Sequence, residues 1–130
     1  MSSNVYWIEE PWIMSADYMG QVTPHDIEEV MQKCLQQLDI HPCYFLVDTL
    51  AMTSIQPTFF KMGSLLKLIS HPNNKWLVMV VNDNPFMKFA VQVLVRNRAV
   101  TVLATREKAM SFIQERVAEQ KNAAISKDTA

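Results

Sequence analysis

The order of apolar and polar positions divides the chain into short extended runs and longer one-sided helical segments. Val5 to Ile8 reads as a strand, and after the Glu9-Glu10-Pro11 break Trp12 to Met19 reads as its antiparallel neighbour, ended by Gly20. Thr23-Pro24-His25-Asp26 opens a helix: Thr23 caps the free amides, Pro24 suits the first helical position and Asp26 favours the positive end of the dipole. Ile27, Val30, Met31, Cys34, Leu35 and Leu38 then recur at helical spacing, with Glu28, Glu29, Gln32, Lys33, Gln36 and Gln37 left outside. Cys43-Tyr44-Phe45-Leu46-Val47 is instead a continuous apolar run ending at Asp48. It lacks the alternation of a strand with one wet face, so it predicts a central strand.

Residues 57–70 predict a second helix with an apolar arc of Phe59, Met62, Leu65, Leu66, Leu68 and Ile69, and with Phe60 outside that arc. His71-Pro72-Asn73-Asn74 breaks it, and Trp76 to Val81 follows as another fully apolar strand. Asn82-Asp83-Asn84-Pro85 opens a third helix from Phe86 to about Asn97. Val100 to Ala104 predicts a last strand, and Thr105 caps a fourth helix carrying Ala109, Met110, Phe112, Ile113 and Val117. The expected order is β-β-α-β-α-β-α-β-α: an α/β fold with a mixed, mostly parallel sheet and packed helices. One domain spans 1–120, and 121–130 is expected to be a flexible tail.

Composition narrows the function classes. Hydrophobic residues make up 49% and charged residues 19%, the balance of a compact protein rather than a disordered one. Twelve basic and thirteen acidic side chains are mixed along the chain, leaving a net charge of −1 and no basic field to hold nucleic acid. No apolar stretch has the length of a membrane span, and the first residues lack a signal-peptide pattern, so the expected location is the cytoplasm. Cys34 and Cys43 lack the spacing of a redox or zinc motif and read as buried small apolar residues. With Gly20 and Gly63 the only glycines, no phosphate-cradling loop is present.

The chain resembles the STAS and anti-sigma-factor-antagonist superfamily, in particular its SpoIIAA-like branch. The resemblance is carried by the strand and turn leading to Gly20, by Thr23-Pro24-His25-Asp26, by Tyr44-Phe45-Leu46-Val47-Asp48, and by the unit from Val100 to Ile113. It implies a domain that binds a protein partner or a small ligand rather than making or breaking bonds. In anti-sigma-factor antagonists an Asp-Ser pair followed by Gly carries a phosphorylated serine after the central strand. Here that stretch reads Asp48-Thr49-Leu50-Ala51-Met52-Thr53-Ser54-Ile55-Gln56-Pro57, where Thr53 and Ser54 are hydroxyls in the right neighbourhood but the pair and its glycine are missing.

The candidate site follows from these positions. His25, His41 and His71 read as loop or helix-end residues, so neither a catalytic set nor a metal site or cofactor is expected. Asp48 ends a central strand, where open α/β sheets place ligands, although it also suits a loop cap accepting backbone amides. The loop from Thr49 to Gln56, with Thr53, Ser54 and Phe60, is the expected surface for a partner or ligand. The third helix has an apolar arc too wide for one sheet face, continued by Met87, Val91, Leu94 and Val95. Packing within the chain, a homodimer interface and the wall of an apolar pocket all account for it. The expected function is a non-enzymatic regulatory or scaffold module acting through protein contacts, with a carrier or sensor of a small apolar ligand as the alternative.

Overall fold

A computed structural model describes residues 3–55, 63–81 and 99–129. Five strands, β1 (Ser3–Glu9), β2 (Ile13–Val22), β3 (Cys43–Ile55), β4 (Asn74–Val80) and β5 (Val100–Leu103), form one sheet in sequence order. β1 and β2 pair antiparallel across the turn that Trp12 closes by donating its amide to Glu9 O, and every later pair is parallel. The described helices are α1 (Pro24–Leu38), α2 (Gly63–Ser70) and α3 (Arg106–Thr129).

Alternation along the strands sends successive side chains to opposite faces and so builds two cores. Met14, Ala16, Tyr18, Phe45, Val47, Leu77 and Met79 face one side, where Ile27, Val30, Met31, Cys34 and Leu38 of α1 and Leu68 and Ile69 of α2 close over them. Ile13, Tyr44, Leu46, Val78 and Val80 face the other, where Ala109, Ile113 and Val117 of α3 cover them. The apolar runs in β3 and β4 are continuous because both faces of these strands are covered.

The helix starts form as their residues predict. Thr23 Oγ1 accepts the Asp26 amide at 3.2 Å while Asp26 Oδ2 accepts the Thr23 amide at 3.0 Å, a reciprocal capping box. Thr105 Oγ1 likewise accepts the Lys108 amide at 3.2 Å at the start of α3. Cys34 and Cys43 are free and buried.

Several boundaries differ from the sequence reading. Gly20 does not end the hairpin: with φ at 62° it lies inside β2, which continues to Val22. β3 likewise runs through Thr49–Ile55, where a loop is expected, because register shifts between Asp17 and Met19 and between Gly20 and Gln21 let the two strands stay paired while bending. Leu66 is exposed rather than part of the buried arc of α2. α3 continues to Thr129, through most of the expected tail. The segments 56–62 and 82–98, with the start of the second predicted helix and all of the third, lie outside the described residues.

Candidate functional site: an arginine-bridged carboxylate pair beside an extended ribbon

Asp48 lies where β4 stops pairing with β3, opposite Val80 and level with Asp17 of β2. By alternation Tyr6, Ser15, Asp17 and Asp48 all share the face that α3 covers. α3 begins with Arg106, and its guanidinium reaches back over these groups. Nη1 donates to Asp48 Oδ2 at 2.8 Å and to Asp17 Oδ1 at 3.1 Å, while Nη2 donates to the Tyr6 hydroxyl at 2.6 Å. Tyr6 in turn donates to Asp17 Oδ2 at 2.7 Å, and the buried Ser15 hydroxyl donates to Asp17 Oδ1 at 2.7 Å. The remaining oxygen of Asp48, Oδ1, accepts the Leu50 amide at 2.9 Å. Asp48 thus makes the local backbone cap expected of it and, in addition, an ion pair that connects strand to helix.

The Asp48 side chain keeps 15% of its exposure, Asp17 25% and Arg106 34%, so water screens the cluster only partly. Burial by itself pulls the Arg106 pKa down, but the hydrogen bonds it donates to Asp48 and then Asp17 outweigh this and raise the guanidinium above its ordinary value. Both carboxylates are occupied by donors. None of the histidines is nearby in the fold: His25 is exposed on α1, and His71 bonds Asp39 at 3.0 Å after α2. His41 packs edge-on to Trp12 before β3. Among the described residues no three His, Cys, Asp or Glu side chains converge as a metal site.

Past this cluster β2 and β3 continue as a two-stranded ribbon, pairing Met19 with Ala51, Gly20 with Met52 and Gln21 with Ser54. Thr49 turns inward and donates its hydroxyl to Val80 O at 2.7 Å, and Met52 is buried. Leu50 and Met19 stay 38% and 39% exposed, and Thr53 and Ser54 are exposed as well. Thr53 and Ser54 therefore sit on a strand rather than in a loop. Thr53 lies five residue steps along the strand from Asp48, about 16 Å, so they are not one constellation. Phe60, Met87, Val91, Leu94 and Val95 lie outside the described residues. Arg106, Tyr6, Ser15 and Asp17 escaped the sequence reading. The available signal was a cation at the first position of a helix, where the dipole disfavours it and acidic neighbours are needed to hold it.

No family model matches the chain, and no curated protein matches it. Solved structures do. The anti-sigma factor antagonist SpoIIAA in its unphosphorylated form is similar at a TM-score of 0.60 and 12% identity, covering 86% of this chain and 97% of that one. The phosphorylated form of SpoIIAA, a Bacillus cell fate determinant, gives 0.62 and 13%, covering 85% and 98%. An uncharacterised Shewanella loihica protein of the DUF3478 family gives 0.59 and 10%, covering 85% and 91%. Shared architecture over most of each chain, at so low an identity, establishes that this chain has a SpoIIAA-like fold.

Proposed function

We propose that this domain is a non-enzymatic regulatory or scaffold module that acts by binding a protein partner on the β2–β3 ribbon. The observation that carries this reading is the contrast between the ribbon and its base. At the base the charged groups are spent on one another through Arg106, whereas the ribbon presents Leu50 and Met19 to solvent beside the hydroxyls of Thr53 and Ser54. Apolar side chains rimmed by small polar ones are the usual make-up of a protein contact. A base or nucleophile must turn a lone pair toward substrate, and each oxygen of Asp17 and Asp48 already accepts a donor from within the cluster or its backbone. The anti-sigma-factor antagonists that share the fold are partner-binding proteins by name, which supports the same class here. Self-association through Met87, Val91, Leu94 and Val95 belongs to the proposal on sequence pattern alone.

A photo-crosslinking amino acid at position 50, used in cells, tests the partner surface. The expected result is one discrete crosslinked protein, lost when Met19→Asp is added. Crosslinking no stronger than from position 36, on the exposed side of α1, would remove the ribbon from the site.

A further inference from the structure

β5 is the terminal strand of the sheet among the described residues. The Leu77 amide bonds Ala99 O and the Val81 amide bonds Leu103 O, so by the parallel ladder Thr101 and Leu103 turn their backbone groups toward β4. Val100 and Val102 then turn their N–H and C=O groups outward, along an edge that a further strand could occupy. On the α3 face this edge borders a groove of about 570 Å³ whose lining includes Leu103, Lys108, Ser111, Phe112, Glu107 and Glu115. Glu107, Ser111 and Glu115 recur every four residues and so form one row along the flank of α3. Neither of these glutamates has an ion-pair partner among the described residues.

The geometry points to a second interaction surface, separate from the ribbon: an extended partner peptide pairs with the outer edge of β5, an apolar side chain in the groove flanked by two basic ones. The spacing supports this occupant. Glu107 and Glu115 are eight residues apart on a helix, about 12 Å, and residues i and i+4 of a strand on one face are about 13 Å apart. A peptide reading basic-x-apolar-x-basic therefore brings its cations to the two carboxylates and its central side chain to Phe112 and Leu103. Backbone pairing at Val100 and Val102 supplies affinity, and the glutamate row supplies the charge preference.

The probe is the blocked heptapeptide Thr-Lys-Thr-Val-Thr-Lys-Thr, titrated into isotope-labelled protein and followed by amide chemical shifts. Expected are saturating shifts at Val100, Val102, Ser111 and Glu115, and binding roughly tenfold weaker for the peptide with both lysines replaced by glutamate. Val102→Pro removes an outward N–H without touching the β4 ladder, so the fold survives while binding falls roughly tenfold. Glu115→Lys, a surface change, erases the preference between the two peptides. Equal binding of both peptides, no binding, or shifts confined to other faces overturns the proposal. So does a concentration-dependent dimer abolished by Val102→Pro, which would make a second copy of the chain the occupant.

Discussion

A guanidinium in the first turn of a helix meets the positive end of the backbone dipole, at a cost of about 0.3–1 kcal/mol, unless anions surround it. Arg106 is held there by Asp17 and Asp48, and it in turn holds two carboxylates close together on neighbouring strands. Arg106→Met leaves those carboxylates facing one another with no counter-ion among the described residues. The expected loss at neutral pH is about 2 kcal/mol, between the ~0.5 kcal/mol of an exposed pair and the ~4 kcal/mol of a buried one. Adding Asp17→Asn should recover part of it, since the two changes share one network. Urea midpoints of the three variants measure this, and an unchanged midpoint for Arg106→Met would show that the cluster contributes no stability. The thiols make a second residue-scale prediction. Burial pushes Cys34 from 9.0 to about 12 and Cys43 from 9.0 to about 11, so the folded protein holds these protons more tightly than the unfolded chain. Their contribution is full below about pH 9 and is lost as pH rises from there through the folded values. Cys34→Val, which keeps an apolar side chain and removes one of these protons, should flatten the decline in urea midpoint between about pH 8 and 10.5.

At the scale of elements, most of the fold was legible because the two periods are distinct: 3.6 in the α1 stripe from Ile27 to Leu38, and unbroken apolar runs in β3 and β4. The ribbon was not legible, for a local reason. Leu50, Ala51, Thr53 and Ser54 are exposed while Thr49 and Met52 are buried, a sequence of burial that bulges impose and that no strand template predicts. Gly20 belongs to the same device, since a positive φ serves a bulge as well as a turn. Open space surrounds the place of its missing Cβ, so Gly20→Ala meets strain in φ but no clash. Its expected cost is about 1 kcal/mol, and Gly20→Asn should cost less because asparagine tolerates the left-handed region. Equal stability of the wild type and Gly20→Ala would mean that the ribbon relaxes to a regular ladder. Among the residues of the candidate site, Asp48 stands out in the sequence because it ends an apolar run. Arg106 lies 58 residues further on, and only the packing of α3 across β3 brings the two together.

On the scale of the whole molecule, β3 and β4 are the shared wall between two cores, and each contributes alternate residues to both. Phe45, Leu77 and Met79 belong to the α1–α2 side, while Leu46, Val78 and Val80 belong to the α3 side. Neither layer can lose its packing without stripping one face of the same strands, so the two should melt together. Ile27 of α1 and Ile113 of α3 are buried at 1% and 0% on opposite sides of this wall and share no packing cluster. Ile27→Val and Ile113→Val should each cost about 1 kcal/mol. The double variant should cost the sum within about 0.5 kcal/mol. Trp12 and Trp76 pack on the α3 side, so tryptophan fluorescence weights that layer, whereas far-ultraviolet circular dichroism reads every element. Coincident transitions by the two probes in all three variants are the expected result. A fluorescence transition that precedes the dichroism transition in Ile113→Val, and in that variant alone, would show that α3 leaves the sheet as a separate unit.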